Sequence, residues 1–128
     1  MTVSFQHFPN ERIIVANFDV PFSSQDVALA NEETARVVLQ RGSPVYRIEN
    51  IVGPLSFDDV TEGLAVAARS SVAGSARDPN VIFLFVGKGP IVEMTAKSFS
   101  QTQYAGREVP LFGTLEEALA YARAKLHP

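Results

Sequence analysis

Val81-Ile82-Phe83-Leu84-Phe85-Val86 is an unbroken apolar run, closed by Gly87-Lys88-Gly89-Pro90, and it decides the fold. An uninterrupted run of β-branched and aromatic residues is typical of a strand that is covered on both faces, as in a parallel sheet. Such a strand needs helices above and below it. Because side chains alternate along a strand, Phe83 and Phe85 are predicted to face one side and their neighbours the other.

The segments around this run alternate between strand and helix patterns. Ser23-x-x-Asp26 and Thr114-x-x-Glu117 have the spacing of helix-capping boxes, and Gly42-Ser43-Pro44 is a helix stop signal. Pro90 fits the first position of a further helix, which we expect to fray between residues 99 and 104. The predicted strands cover residues 3–8, 13–18, 45–51, 81–86 and 109–112, and the other helices cover 24–41, 57–68 and 115–126.

These elements predict one α/β domain over residues 1–128, with a mostly parallel five-stranded sheet, an antiparallel N-terminal edge strand and four helices. Strand 45–51 carries Arg47 and Glu49, which predicts an imperfectly covered face and a place nearer an edge. Phe57 is predicted to begin the buried stripe of the second helix. The small-residue segment 70–80 is predicted to be the most mobile part of the domain.

Composition excludes several classes of function. The chain of 128 residues has a net charge of -3 and scattered basic residues, which argues against nucleic acid as a partner. It has no cysteine, so disulfides, thiol catalysis and thiolate metal sites are excluded. The N-terminal residues lack a signal-peptide pattern, and no apolar run approaches a membrane span. We therefore expect a cytoplasmic protein without a membrane span.

The sequence offers little catalytic chemistry. His7 and His127 have no metal-ligand spacing, and no Gly-x-Ser-x-Gly elbow is present. The acidic pairs, such as Asp58-Asp59, are adjacent in sequence, so their side chains point in different directions on a helix. We therefore predict no catalytic residue, metal or cofactor, although an enzyme that uses carboxylates alone stays open.

Two loops are predicted to meet at one edge of the sheet. The carboxyl ends of parallel strands lie at the same edge, and helix N-termini there favour anions. Gly53, Ser56, Gly87, Lys88 and Gly89 should therefore surround a shallow depression that binds a small anion or an apolar molecule weakly. The alternative is a tight strand-to-helix turn with a solvated lysine.

The order of the last strands and helices, and the C-terminal Phe112 followed by Leu115-Glu116-Glu117-Ala118, resemble the STAS-like fold and its SpoIIAA-like branch of small bacterial proteins. The resemblance implies an interaction or regulatory module, and some members of the wider fold bind nucleotides or apolar ligands. Its regulatory members carry a phosphorylated serine in an Asp-Ser-Ser/Thr-Gly motif. Only Ser56 matches that serine here, so we predict Ser56 as a helix cap, with phosphorylation as the alternative.

We therefore expect a non-enzymatic regulatory or protein-interaction module that binds a protein partner and forms a homodimer. The alternative is a weak binder of an apolar or anionic small molecule at the carboxyl ends of the parallel strands. A closed pocket of roughly several hundred Å³ beside Gly87 and Ile51 would favour the ligand. A flat, exposed apolar patch would favour the interface.

Overall fold

The computed structural model describes residues 3–21, 23–69, 71–101 and 106–128, and it has the predicted α/β architecture. Five strands form a single sheet in the order β1-β2-β3-β4-β5, with β1 antiparallel to β2 and all other neighbours parallel. The elements are β1 (Val3–His7), β2 (Ile13–Asp19), α1 (Ser24–Arg41), β3 (Val45–Val52), α2 (Phe57–Arg69), β4 (Val81–Val86), α3 (Pro90–Ser98), β5 (Leu111–Phe112) and α4 (Leu115–Leu126).

Local sequence signals set most helix ends. The Ser23 side chain accepts a hydrogen bond from the backbone N–H of Asp26, whose carboxylate accepts one from the Ser23 N–H, so the predicted capping box at α1 is confirmed. Thr114 caps α4 through the N–H of Glu117. Helix α3 ends at Ser98, and of the residues 99–104 that were predicted to fray, 102–104 lie outside the described residues.

The chain divides its helices unequally between the two faces of the sheet. Strands β2 to β5 step in one direction across the sheet, and right-handed crossovers then place α1, α2 and α3 on one face, while α4 folds back over the other. Phe83 and Phe85 accordingly pack with Ala96 and Phe99 on the face of the three helices. Leu84 and Val86 pack under α4 with Ala118 and Ala122, so the predicted alternation along β4 is confirmed.

Two expectations about burial are wrong. Strand β3 is the middle strand of the sheet and not an edge strand, and its Arg47 and Glu49 are buried. The physical reason is that Arg47 and Glu49 form an ion pair, and paired charges can be buried under helices. Phe57 is 65% exposed, because the buried face of α2 begins with Asp59 and Val60 instead.

The strand β5 is shorter than predicted and lies at the edge that Pro110 indicated. The Pro110 carbonyl still accepts a hydrogen bond from the Phe85 N–H, so the chain follows β4 before the strand begins. No helix in the described ranges combines the length and the apolar character that crossing a membrane requires.

Candidate functional site

Strand β3 brings two charged side chains to the middle of the three-helix face. Arg47 stands between Ile14 of β2 and Phe83 of β4, and Glu49 stands next to Phe85 in the following row. Both side chains point to the same face, because they are two residues apart. Arg47 is 1% exposed and Glu49 is 8% exposed. Two buried charges in the centre of a sheet are costly unless they are paired, which makes them the first candidates for function.

The Arg47 guanidinium is held from three sides. Its Nε donates to Oε1 of Glu49, and its Nη1 donates to Oδ1 of Asn31 at 2.6 Å and to the carbonyl of Gly74 at 3.0 Å. The guanidinium carbon also lies 4.5 Å from the centre of the Phe83 ring, which is a cation-π distance. Among the described residues, Nη2 has no hydrogen-bond partner. The guanidinium is therefore fixed in place, and its Nη2 makes no hydrogen bond to the described residues.

The Glu49 carboxyl group is in a less favourable position. Burial raises its pKa above the ordinary value of 4.5, and the charge and hydrogen bond of Arg47 counteract only part of that rise. Oε1 accepts from Arg47, whereas no donor to Oε2 lies among the described residues. Glu49 is therefore a buried carboxyl group with an unused oxygen.

The loop between α2 and β4 is built against α1. The Gly74 N–H donates to Oδ2 of Asp78 at 2.7 Å, and the backbone of Gly74 has a φ of 83°. A Cβ atom on Gly74 would come within 2.0 Å of the Asn31 carbonyl oxygen, so only glycine fits this contact. The Ala76 and Asp78 carbonyls accept hydrogen bonds from Arg107. Residues 71–80 are the described part of the segment 70–80 that was predicted to be the most mobile, and they contribute a packed acceptor for Arg47.

Ser75, the next residue in this loop, has a buried hydroxyl group without a partner. It is 2% exposed, and its Oγ makes no hydrogen bond in the described structure. Native proteins rarely leave a buried hydroxyl group unsatisfied, and such a group calls for an explanation such as a bound molecule. Ser75 follows the Gly74 carbonyl that Arg47 binds, so the hydroxyl lies near the guanidinium.

One cavity between the sheet and helices α1, α2 and α3 is lined by Asn31, Arg47, Glu49 and Ser75. Its volume is about 70 Å³. Most of its wall is apolar and includes four phenylalanine rings. The described residues that line it are Phe18, Val27, Asn31, Arg47, Glu49, Ile51, Leu55, Asp59, Val60, Gly63, Val66, Ser75, Ala76, Phe83, Phe85, Val92, Thr95 and Phe99.

The size of the cavity limits what it can hold. An apolar cavity of roughly 150 Å³ holds benzene, so this cavity suits a smaller molecule. It lies beside Ile51 as the ligand hypothesis expected, but not beside Gly87, and it is smaller than typical ligand pockets.

The five residues predicted from the sequence lie above this cavity and do not line it. Gly53 has a φ of 93° and lies close to Val20 after β2, whereas the Lys88 side chain extends toward Gly113 after β5. The loop at Gly53 therefore lies toward the end of β2, and the loop at Lys88 lies toward the end of β5. Gly87 is close to Val92, and Gly89 precedes α3 with a φ of 105°. An anion site at these residues stays a prediction.

Ser56 is placed as the predicted cap of α2. Its Oγ accepts a hydrogen bond from the Asp59 N–H at 3.2 Å and donates one to Oδ2 of Asp59 at 2.9 Å. The Ser56 N–H also donates to that carboxylate, which completes a capping box. The capping role is confirmed, and phosphorylation of this exposed serine stays a prediction. Asp59 links this surface cap to the cavity wall below.

A second concave surface lies on the outer side of α1. We call it the α1 groove, and its described residues are Ala28, Asn31, Glu32, Ala35, Arg36, Leu39, Val66, Val72 and Ala73. Leu39 is 87% exposed and Val72 is 58% exposed. Asn31 and Val66 also line the internal cavity, so the two sites share parts of their walls.

The described residues contain no cluster of three or more histidine, aspartate or glutamate side chains that could hold a metal ion. Comparison of the chain with family models, with curated proteins and with solved structures found no match. The functional argument therefore rests on the geometry of the site.

Proposed function

We propose that this protein is a non-enzymatic α/β module that binds a small, largely apolar molecule in the cavity between β3 and helices α1, α2 and α3. The observation that carries the proposal is the unpartnered Ser75 hydroxyl group in the wall of a partly open, mainly apolar cavity. Binding sites for small molecules combine apolar walls with a few polar groups that orient the ligand. Arg47, Glu49 and Ser75 are the polar groups of this site.

A binding role fits these groups better than a catalytic one. Arg47 is held by Asn31 and Gly74 as well as by Glu49, so its position is set before a ligand arrives. A fixed polar end lowers the ordering cost of binding, and the described residues that line the cavity include no nucleophile hydrogen-bonded to a base. The STAS-like resemblance, which includes members that bind apolar ligands, supports the same proposal.

Xenon tests the proposal, because it is an apolar probe that needs no hydrogen bond. Titration of isotope-labelled protein with pressurised xenon should shift the amide signals of β3 and α2 in a saturable manner. Val60→Phe should abolish this response by filling the cavity. If Val60→Phe does not fold, the smaller change Val60→Ile replaces it and should weaken the response. Val72→Phe is the matched control, because Val72 lies outside the cavity on the surface.

The absence of a saturable response in the parent protein would contradict ligand binding in this cavity. An equal loss of the response in Val60→Phe and Val72→Phe, with both variants folded, would also contradict it. A saturable response in the parent protein and in Val72→Phe, but not in Val60→Phe, would support the proposal.

The α1 groove favours a second function, a protein-interaction module that forms a homodimer. An exposed leucine and an exposed valine at one concave surface are typical of an interface. Glu32 and Arg36 lie one helical turn apart along the same groove. A two-fold axis between them would place Glu32 of one copy opposite Arg36 of the other, and Arg36, which pairs with Glu33 of its own helix, would then stand between two carboxylates.

Sedimentation of the parent protein and of the Leu39→Glu variant would test the dimer. A concentration-dependent dimer that Leu39→Glu converts to a monomer would support it, with Met94→Glu as a matched control at an exposed residue outside the groove. A monomer at all concentrations in the parent protein would contradict this second function. Because Asn31 borders both sites, a ligand in the cavity would also be expected to change the dimer constant.

A further inference from the structure

We infer that the open edge of β5 binds an extended segment of a partner protein as a further strand of the sheet. The segment would place an apolar side chain between β5 and α3 and a basic side chain beside Glu108. The described residues that line this surface are not among those that line the internal cavity or the α1 groove, so the inference goes beyond the proposed function.

The backbone of β5 offers unpaired groups at this edge, because β5 is the last strand of the sheet. The Pro110 carbonyl accepts a hydrogen bond from the Phe85 N–H of β4 at 2.9 Å. The Phe112 carbonyl accepts one from the Gly87 N–H at 3.0 Å. Backbone groups of successive residues in a strand point to opposite sides. The N–H and carbonyl of Leu111 therefore point away from β4, and no strand of the described structure pairs with them.

Pro110 does not block this edge. A proline in an edge strand usually protects the strand from further pairing, because proline has no N–H group to donate. The Pro110 carbonyl faces β4, so the Pro110 nitrogen faces β4 as well. The missing donor is therefore lost on the paired side, and the open side keeps the N–H group of Leu111.

A groove beside this edge gives room for the side chains of an added strand. We call it the β5 groove, and its volume is about 620 Å³. Helix α3 lines it with Ala96 and Lys97, and the segment of β5 lines it with Val109 and Leu111. Side chains alternate along a strand, so every second side chain of the added strand would enter the groove. Recognition by strand addition combines backbone hydrogen bonds with such side-chain sites.

A segment of a partner protein fits the β5 groove better than a second copy of the chain. In a symmetric pair of β5 strands, each Leu111 would stay against the Phe85 and Phe99 rings of its own copy. The second copy would therefore supply backbone groups but would leave the groove unfilled. A separate segment has side chains that are free to fill it.

Charge favours a basic residue in the segment. Glu93 and Lys97 are one turn apart on α3, where they can pair with each other. Glu108 is exposed, and it takes part in none of the ion pairs that the described residues form. The chain as a whole has a net charge of -3, which also attracts a basic partner. We therefore expect a lysine or an arginine beside Glu108.

A peptide with blocked termini, Lys-Thr-Val-Thr-Val-Thr-Lys, tests the inference by titration of the labelled protein. It presents lysine and valine on one face and threonine on the other, whichever way it runs. It should bind with a Kd on the order of 0.1 to 1 mM. Binding should slow the hydrogen exchange of the Leu111 amide and leave that of the Gly87 amide unchanged, because Gly87 already donates to Phe112. Lys-Val-Val-Thr-Thr-Thr-Lys has the same composition without the alternation and should bind at least about threefold more weakly.

Reversal of one charge tests the role of Glu108. Glu108→Lys should weaken binding of the alternating lysine peptide about threefold to fivefold, and should strengthen binding of Glu-Thr-Val-Thr-Val-Thr-Glu by a similar factor. Glu32→Lys is the matched control, because Glu32 is an exposed glutamate on α1 and lies outside the β5 groove. It makes the same change in net charge and should leave the binding of both peptides nearly unchanged.

The absence of saturable binding of the alternating lysine peptide at millimolar concentration would overturn the inference. Binding that leaves the exchange of the Leu111 amide unchanged would also overturn it, because the peptide would then lie elsewhere. Protection of the Leu111 amide that grows with protein concentration, without any peptide, would assign the edge to a second copy instead. Equal effects of Glu108→Lys and Glu32→Lys would overturn the preference for a basic residue at Glu108.

Discussion

Arg47 and Glu49 lie two residues apart on the middle strand of the sheet, and the Arg47 Nε donates a hydrogen bond to Oε1 of Glu49 under three helices. This pairing allows a charged pattern to occupy the centre of the domain. It also fixes the polar end of the partly open cavity that both residues line.

Replacing one partner of the Arg47–Glu49 pair should lower the free energy of unfolding more than replacing both partners. Arg47→Met leaves the Glu49 carboxyl group buried without its donor and should lower the free energy of unfolding by about 3 to 5 kcal/mol. The double variant Arg47→Met with Glu49→Leu should lose much less than the sum of the two single variants. Denaturant unfolding of the parent, both single variants and the double variant measures this coupling. Simple additivity would contradict the pairing.

The pH dependence of stability should show the raised pKa of Glu49. Because burial raises its pKa in the folded state, the folded state binds its proton more tightly. The stability from Glu49 is therefore fully present below the unfolded value near 4.5 and is lost as the pH rises through the folded pKa. The parent protein should lose stability relative to Glu49→Gln over that window, as measured by unfolding at several pH values.

Glu11 provides a control of opposite sign. The hydrogen bond from Arg123 lowers the pKa of Glu11, so its stabilisation is present above the unfolded value and is lost as the pH falls. Relative to Glu11→Gln, the parent should therefore gain stability with rising pH. Slopes of the same sign for the two comparisons would contradict the assignment.

Gly74 should tolerate substitution far less well than Gly42. Both glycines have a positive φ, 83° and 87°, but a Cβ on Gly74 would meet the Asn31 carbonyl oxygen, whereas nothing lies within 4 Å of one on Gly42. Gly42→Ala should cost about 1 kcal/mol, and Gly74→Ala should cost at least about 2 kcal/mol more. Thermal unfolding of both variants checks this difference. Equal costs would mean that the 71–80 loop is not packed against α1.

The sequence predicted those parts of the fold that depend on nearby residues. The capping box at Ser23, the Thr114 cap of α4 and the faces of β4 could be predicted, because each depends on residues within a few positions. The burial of Arg47 could not, because it depends on Asn31 and Gly74, which are far away in sequence. An arginine and a glutamate at alternate positions match an exposed strand face equally well.

The candidate site was missed for the same reason. Reasoning from the carboxyl ends of the strands pointed to Lys88 and its neighbouring glycines, whereas the cavity lies below them. The signal that could have found it is the Arg47-x-Glu49 pair itself. Two opposite charges on one face of a strand can neutralise each other, and this pair is followed by Ile51 on the same face.

Ser56 should act as a helix cap. Ser56→Ala removes the acceptor of the Asp59 N–H and should lower stability by about 1 kcal/mol, measured by denaturant unfolding. A phosphate at this position would lie beside the Asp59 carboxylate that now accepts from Ser56, so we expect no stable ordering of the structure by a phosphoserine. Stoichiometric phosphate on Ser56 in protein purified from its native cells would overturn this expectation.

The most direct test of ligand binding is a crystal structure of the protein pressurised with xenon. We expect electron density for xenon between β3 and α2, in the cavity that Val60, Phe83 and Phe85 line. A crystal of Val60→Phe soaked in the same way should show no such density. A parent structure in which the cavity stays empty, or in which protein side chains fill it, would contradict the account.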